Sequence, residues 1–261
     1  MAVLRAIFQL TRLETSLLGF FAVLIPLFAR SHDLYSSFRK ALPFLLTGVC
    51  TFIANDLDDL DRDRINHPNR PLPAGYISPE FAVTLYFIFL GLTLISIWCF
   101  ISPGIDFFYY SALSLAISYG YISEYLPVMK PPYVAVAATV PIVIVASSYP
   151  HETKLYVLSG SILLLTLGRE MCKDIRDRAG DPVSIIHRFT PTRLGVVAFS
   201  LQWLGLLLLV ILIHRAADIV DFVVMTLLLA LSTAFWFKLK QYKLPLILMK
   251  IQLFVGLYFL V

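Results

Sequence analysis

The apolar residues of this chain gather into nine stretches, each long enough, or nearly long enough, to cross the hydrocarbon core of a membrane as a helix. They run over residues 8–29, 41–56, 79–101, 105–123, 132–149, 154–171, 191–213, 217–236 and 244–261. Backbone amides in lipid must bond within their own segment, and runs this long and this uniformly apolar are untypical of barrel strands. The sequence therefore predicts an all-α integral membrane bundle of nine transmembrane helices.

The overall composition agrees with a chain whose main solvent is lipid. Apolar residues make up 59% of it and charged residues only 15%, which is outside the usual range for a soluble domain. The first stretch is not followed by a cleavage pattern of small residues, so it is expected to be an anchor and not a secretory signal. No long linker or fixed repeat divides the chain, and a single transmembrane domain over residues 1–261 is predicted.

The basic residues predict the orientation of the bundle. When they are sorted by the side that each connection occupies, fifteen fall with the amino terminus and five on the other side. Basic residues are enriched on the cytoplasmic side of membrane proteins, so the amino terminus is predicted to be cytoplasmic. The net charge of +4 then reflects topology, and nucleic-acid binding is not expected.

More than half of the acidic residues lie in two short stretches that follow the second and the sixth apolar segments. The first is NDLDDLDRD, residues 55–63, and on a helix its Asp56, Asp59 and Asp63 share one face while Asp58 and Asp61 point away. Each of these aspartates lies close to a predicted helix end, where a charge avoids the cost of burial at mid-bilayer. The stretch therefore predicts a column of carboxylates at one end of the bundle.

The second acidic stretch, REMCKDIRDRAGD at residues 169–181, repeats this spacing. Asp174, Asp177 and Asp181 are separated by three and then four residues, and Glu170 lies one turn earlier on the same helix face. Both columns follow even-numbered segments, so they are predicted to lie on the same cytoplasmic side, where they can face each other. Carboxylates that approach in this way repel one another, so a cation is expected between them.

Carboxylate oxygens are the ligands that Mg²⁺ prefers, and this ion usually fills its remaining positions with water and substrate phosphate oxygens. Two carboxylate columns with Mg²⁺ between them predict a diphosphate-binding site. Basic side chains in or beside the columns are candidates for the oxygens that the metal leaves free: Arg70, Lys173 and Arg178.

These two stretches resemble the motifs of the UbiA superfamily of intramembrane prenyltransferases. NDLDDLDRD matches its NDxxDxxxD motif, and the following INHPNRPLPAG matches its N-x-x-x-RPLPxG segment. REMCKDIRDRAGD is most similar to the REIxKDIxDxxGD version found in geranylgeranylglycerol-phosphate geranylgeranyltransferases and their bacterial relatives. The family has nine transmembrane helices, so the resemblance extends to the whole chain.

The resemblance implies a Mg²⁺-dependent enzyme that ionises an allylic prenyl diphosphate and transfers the prenyl group to a small acceptor of aromatic or glycerol-phosphate type. It assigns Arg70 to the diphosphate. The residues that it implies for the two metal-diphosphate sites are Asn55, Asp56, Asp59 and Asp63 in the first and Asp174, Asp177 and Asp181 in the second, with Glu170 and Lys173 as looser matches.

Three other interpretations of the acidic stretches stay open. A terpene cyclase of the same superfamily would use the same diphosphate site without an acceptor. A divalent-cation or proton-coupled transporter would also need acids, although transporter acids usually lie at mid-membrane and these lie at helix ends. A single acidic run is most often only a solvated surface, but two runs with matched spacing on one side of the membrane favour a site.

A few charged and aromatic residues lie apart from the two columns. Glu14 is expected to pair with Arg12 at the membrane interface, or else to reach the acceptor. The aromatic residues of the fourth segment, Tyr109 among them, are expected to pack, although their ring faces are also suited to stabilising a carbocation. Lys250 lies inside the ninth apolar stretch, and the sequence pattern gives it no role.

Overall fold

The structure is a computed structural model that describes residues 2–177, 189–212, 216–239 and 242–256, and these residues contain helices and no strand. Two short 3₁₀ helices occur at Pro127–Met129 and Val210–Leu212. The α-helices are α1 (Ala2–Leu10), α2 (Leu13–Ser31), α3 (Leu34–Asp58), α4 (Leu60–Asn66), α5 (Pro79–Phe100), α6 (Asp106–Tyr125), α7 (Lys130–Ser148), α8 (Thr153–Asp177), α9 (Pro191–Leu209), α10 (Ala216–Leu239) and α11 (Lys243–Gly256).

Seven of the described helical segments are long and apolar enough to cross a membrane: α2, α3, α5, α7, α8, α9 with its 3₁₀ extension, and α10. The sequence predicts nine. The two others fall where the fourth and ninth apolar stretches are expected, but α6 is rich in serine and tyrosine, and α11 is described over only 14 residues. The described part of α11 is about 21 Å long, which is shorter than a hydrocarbon core. The all-helical prediction is confirmed, seven spans are found, and the cytoplasmic amino terminus stays a prediction.

The surface of α5 shows why these helices belong in lipid. The helix is apolar on every side, and large side chains such as Phe87 and Trp98 are mostly exposed, at 63% and 81%. Exposed apolar area of this extent is unfavourable in water and is expected of a surface that contacts lipid tails. The chain is therefore an integral membrane protein.

The described residues group into two compact units, one through Leu126 and one from Pro127 onward. In the first unit α3 packs against α2, α5 and α6, and in the second α8 packs against α7, α9 and α11. Each acidic stretch thus extends from the central helix of its unit, where several neighbouring helices hold its position. The prediction of a single transmembrane domain stays a prediction.

The composition of the first apolar stretch predicts one uninterrupted helix, but the structure shows two. The stretch is broken between α1 and α2 at Arg12, whose backbone adopts φ 41° and ψ 49°, a left-handed conformation that is uncommon for residues other than glycine. Helices α3 and α8 instead extend beyond the apolar stretches that predict them. As a result, the first acidic stretch begins on α3, and α8 carries Glu170, Asp174 and Asp177.

A prediction concerns the close packing of α8 on α9 at Gly168. A Cβ atom at this position would lie 2.3 Å from the carbonyl oxygen of Ala198, a backbone atom that cannot move aside without shifting α9. We therefore expect Gly168→Ala to lower the free energy of unfolding by about 1–3 kcal/mol, measured by equilibrium denaturation in mixed micelles.

Gly160→Ala on the same helix is the matched control. Its Cβ atom would meet only Leu208 Cδ1 at 3.8 Å, which is an ordinary contact. Alanine has the higher helix propensity, so this variant is expected to be neutral or slightly more stable. Equal destabilisation by the two substitutions would contradict the close approach at Gly168.

Candidate active site

The first acidic column spans the junction between α3 and α4. Asp59 interrupts the regular helix, yet its amide donates to Asn55 O at 2.9 Å, and the Asp63 amide donates to Asp59 O at 2.7 Å. Helical spacing is therefore kept across the junction. Asp56 and Asp63 are only 2% and 4% exposed, whereas the Asp61 side chain is 88% exposed. Asp56 and Asp63 therefore share one face, as their spacing predicts, and the structure shows that this face is buried.

Asp58 is directed away from this face. Its carboxylate lies against α6, where a Cβ atom at Gly120 would come within 1.9 Å of Asp58 Oδ2. The absence of a side chain at position 120 is what allows this approach. Asp58 therefore lies apart from Asp56 and Asp63, which agrees with the prediction from sequence.

Arg70 is the cation that connects the two buried aspartates. Its guanidinium donates a hydrogen bond to Asp63 Oδ2, and Nη1 lies 3.6 Å from Asp56 Oδ1. Burial raises the pKa of Asp63 above its ordinary value, and the charge and hydrogen bond of Arg70 act against this increase. The buried column is thus neutralised in part by an arginine that the sequence assigns to diphosphate.

The Arg-Pro-Leu-Pro turn holds Arg70 in this position. The Ala74 amide donates to Arg70 O at 2.9 Å, and Gly75 takes a positive φ of 73° that favours glycine. Leu72 is buried in a cluster with apolar residues of α1, α3 and α5, which fixes the turn to the unit. The hydroxyl of Ser78 then accepts a hydrogen bond from the Phe81 amide at 3.2 Å and so caps α5.

Arg12 is a site residue that the sequence pattern does not reveal. The sequence suggests Glu14 as its partner, whereas in the structure its guanidinium donates to Asp56 Oδ1 and lies over the Phe52 ring, 5.0 Å from the centroid. Forty-four positions separate Arg12 from Asp56, and no local spacing links them. The left-handed backbone of Arg12 is kept in place by these tertiary contacts.

Asp59 has an oxygen suited to a further cation. Its Oδ1 atom is buried and accepts no hydrogen bond, although Arg62 Nη1 lies 3.1 Å away as an ion-pair partner. A buried acceptor without a hydrogen bond is unfavourable unless a ligand satisfies it. A metal ion bound at this oxygen would satisfy it, and in this respect the first column fits a bound metal ion.

The second acidic column lies in the last turns of α8. Glu170 is 3% exposed, and its two oxygens accept hydrogen bonds from Arg169 at 2.7 Å and Lys173 at 2.6 Å. Arg176 donates two hydrogen bonds of 2.6 Å to Asp177. Asp174 and Asp177 lie nearer the helix end and are less buried than Glu170.

Two predicted site residues, Arg178 and Asp181, lie outside the described residues. Within the described part of the chain, no three His, Cys, Asp or Glu side chains converge closely enough to hold a metal ion by themselves. Mg²⁺ characteristically takes only one or two carboxylates and completes its shell with water and phosphate oxygens. A Mg²⁺ ion at the described aspartates would therefore need water or phosphate oxygens to complete its shell.

Arg12 provides a further testable prediction. Removing its charge leaves the buried Asp56 with Arg70 at 3.6 Å, so Arg12→Gln is expected to lower the free energy of unfolding by about 1–3 kcal/mol in micelles. Arg5→Gln, on the exposed surface of α1, is the control and is expected to change it by less than about 0.5 kcal/mol. If the two variants are equally stable, the ion pair contributes nothing to the fold.

The tertiary structure thus defines a polytopic helical membrane protein with buried acidic columns at the ends of central helices. A protein-family model that matches most of the chain identifies the family within this class. The chain belongs to the UbiA prenyltransferase family, whose model covers residues 15–254.

Several relatives are digeranylgeranylglyceryl phosphate synthases. That of Methanosphaera stadtmanae is 31% identical over 150 residues, which are 55% of this chain and 55% of the relative. That of Methanococcus vannielii is 36% identical over 106 residues, 38% of each chain. That of Archaeoglobus fulgidus is 30% identical over 197 residues, 72% of this chain and 66% of the relative. The chain spans about half the length, or less, of the first two.

Solved structures show the same fold. A UbiA homolog from Aeropyrum pernix K1 has a TM-score of 0.77 at 16% identity and covers 94% of this chain and 96% of its own. A structure described as a digeranylgeranylglyceryl phosphate synthase in membranes has a TM-score of 0.69 at 21% identity, over 100% of this chain and 99% of its own. At these identities the likeness concerns the fold alone.

Proposed function

We propose that this chain is a Mg²⁺-dependent prenyltransferase that ionises an allylic prenyl diphosphate and transfers the prenyl group to a small acceptor. The proposal depends mainly on one observation, the column of Asp56, Asp59 and Asp63, of which Asp56 and Asp63 are buried, in a chain of the UbiA prenyltransferase family. Aspartates are seldom buried in membrane helices unless they have a partner or a function.

The proposed site residues fall into two groups. The carboxylates would hold Mg²⁺ and with it the diphosphate, and they are Asp56, Asp59, Asp63, Glu170, Asp174, Asp177 and Asp181. Asn55 would contribute its side-chain amide to the same site. The basic residues would bind diphosphate oxygens directly: Arg70, Lys173 and Arg178. Glu170 also orients Lys173 through the hydrogen bond between their side chains.

Charge stabilisation is the main requirement of the proposed reaction. When bound, Mg²⁺ neutralises the negative charge that develops on the departing diphosphate. Arg70 supports this by donating hydrogen bonds from a fork that matches phosphate oxygens. As the carbon–oxygen bond breaks, its electron pair leaves with the diphosphate, and a hydroxyl or ring carbon of the acceptor bonds to the allylic carbon and loses a proton.

Water must be excluded from the allylic cation, and the apolar helices suit this task. Tyr109 is not free to serve in it, because its ring packs on Phe44 and its hydroxyl donates to Lys40 O at 2.8 Å. The packing role expected of this tyrosine is therefore the one observed.

A glycerol-phosphate acceptor is the preferred form of the proposal. The second motif resembles that of glycerol-phosphate prenyltransferases, and the relatives named above are digeranylgeranylglyceryl phosphate synthases. An aromatic acceptor is the alternative within the same reaction. We place the site on the cytoplasmic side from the distribution of basic residues alone.

The decisive experiment supplies the purified protein with Mg²⁺ and prenyl diphosphates of several lengths, with and without acceptors, and identifies the products by mass spectrometry. We expect a prenyl ether only when a glycerol phosphate derivative is present. A cyclic hydrocarbon or alcohol formed without acceptor would instead identify a terpene cyclase. No product under any condition, together with Mg²⁺ uptake into proteoliposomes, would favour a transporter.

A further inference from the structure

Arg62 lies between two acidic side chains on different faces of the junction between α3 and α4. Helical spacing is kept across this junction, and at 100° per residue Arg62 falls about 40° from Asp58 and about 60° from Asp59. The two aspartates precede it by four and three residues, the separations at which charged side chains on a helix meet. One guanidinium is therefore within reach of two carboxylates, and only one of these belongs to the proposed metal site.

Arg62 pairs with Asp59 in the structure. Its Nη1 atom lies 3.1 Å from Asp59 Oδ1, and the two side chains are 24% and 13% exposed. Asp59 Oδ1 nevertheless accepts no hydrogen bond, whereas Arg12 and Arg70 both donate hydrogen bonds to the aspartates that they contact. Hydrogen bonds between ionised partners add to their attraction, so the contact of Arg62 with this oxygen is easier to break than the contacts of Arg12 and Arg70.

A second acidic surface lies on the other side of Arg62. The Asp58 carboxylate lies against α6 at Gly120, and Glu124 follows Gly120 by one turn of the same helix. The charges of Arg62 and Glu124 both act on the Asp58 carboxylate. Arg62 is thus held between a carboxylate that is proposed to bind metal and two acids that are not assigned to the metal.

A divalent ion at Asp59 Oδ1 would bring a second cation to the oxygen that Arg62 approaches. Two cations at one carboxylate oxygen repel each other, and more strongly in a partly buried site than in water. Asp58 offers the guanidinium another partner one turn away, so a change of rotamer is sufficient and no helix has to move. We propose that Arg62 is a displaceable counterion of Asp59, which turns to Asp58 and Glu124 when a divalent metal binds Asp59.

This role of Arg62, which rests on the proposed function, predicts an increase in metal affinity when the residue is removed. A residue that binds diphosphate or supports the fold would weaken the site when it is lost. Removal of a cation that competes with the metal strengthens metal binding instead. Arg62→Gln is therefore expected to bind metal about 5-fold more tightly, which corresponds to roughly 1 kcal/mol for one ion pair.

The test measures binding of Mn²⁺, which suits the same oxygen ligands as Mg²⁺, to the full chain in a neutral detergent. Electron paramagnetic resonance measures the free ion, so the experiment needs neither turnover nor a prenyl substrate. Arg64→Gln is the matched control, because it removes the same charge two residues away from an exposed pair with Asp61 and should leave binding unchanged. Arg62→Lys keeps the charge and should bind Mn²⁺ within about twofold of the unsubstituted protein.

Asp58 provides an independent measurement of where the guanidinium moves. Asp58→Asn removes an acid that would receive Arg62 and should weaken Mn²⁺ binding about twofold, the effect of one charge pair at this helical spacing. In the Arg62→Gln background the same substitution should have no effect, because the residue through which it acts is missing. Equal weakening in both backgrounds would show that Asp58 acts on the metal by its own charge, and it would overturn the proposed movement of Arg62.

Asp59→Asn distinguishes failure of this role from failure of the proposed function. It should weaken Mn²⁺ binding by more than about 10-fold, since even the partners of metal ligands typically contribute that much. If it has no effect, the proposed metal site and the role of Arg62 are both wrong. If it weakens binding but a folded Arg62→Gln variant, verified by its thermal unfolding, binds no more tightly than the unsubstituted protein, the metal site stands and the displaceable counterion is wrong.

Discussion

Replacing Asp59 with asparagine is expected to lower prenyl transfer by about 100- to 1,000-fold, the usual effect of losing one group that stabilises charge in a transition state. Asp59 Oδ1 is buried, pairs with Arg62 Nη1 at 3.1 Å and accepts no hydrogen bond, so a metal ion that carries diphosphate would satisfy this oxygen. Asparagine keeps the size of the side chain and removes the charge. The measurement is the initial rate with saturating acceptor and varied donor.

Asp61→Asn is the matched control for this variant, because it makes the same chemical change two residues away. The Asp61 side chain is 88% exposed and pairs only with the exposed Arg64 among the contacts described, so turnover should stay within about twofold. Asp58→Ala is also expected to be mild, since Asp58 is directed toward α6. Equal losses at positions 58, 59 and 61 would refute the assignment of function to one helix face.

Replacing Arg70 with leucine is expected to lower the free energy of unfolding by about 3 kcal/mol, the lower end of the cost of leaving a buried charge unpaired. Asp63 would lose its hydrogen-bond donor, and Asp56 would keep only Arg12 of its two arginine partners. The lower value applies because Arg70 is itself 27% exposed. Denaturation in mixed micelles measures this loss.

A double variant separates the structural role of Arg70 from its proposed role in diphosphate binding. Arg70→Leu combined with Asp63→Leu removes both charges, so stability should return close to that of the unsubstituted protein, while turnover is expected to be lost in the single and the double variant. Arg64→Leu is the control, because its pair with Asp61 is exposed and contributes at most about 1 kcal/mol. Recovery of turnover in the double variant would exclude Arg70 and Asp63 from the reaction.

The basic side chains beside the two columns refine the expectation, drawn from the sequence, that a cation lies between the carboxylates. Repulsion between carboxylates predicts a cation among them, and the described structure has basic side chains of the same unit in contact with each column. Arg12 and Arg70 contact the first, and Arg169, Lys173 and Arg176 contact the second. These basic side chains offset part of the negative charge of both columns, so we expect the proposed Mg²⁺ to matter for the reaction more than for folding.

Sequence alone determined the features that depend on neighbours within a few residues. The apolar stretches identify the helices, and the spacing of three and four places Asp56 and Asp63 on one helix face. Helical periodicity and local hydrogen bonds act over one or two turns, and they can be deduced from the order of residues.

Only the tertiary structure decided which distant residues meet. Arg12 reaches Asp56 across 44 positions, and the basic residues of α8 and α11 line one cavity although more than sixty residues separate them along the chain. The left-handed backbone at Arg12 and the place of Lys250 likewise depend on packed helices and not on local pattern. The physical reason is that ion pairs and cavities form where packing brings side chains together. The number of residues between two side chains along the chain does not indicate how close they lie in space.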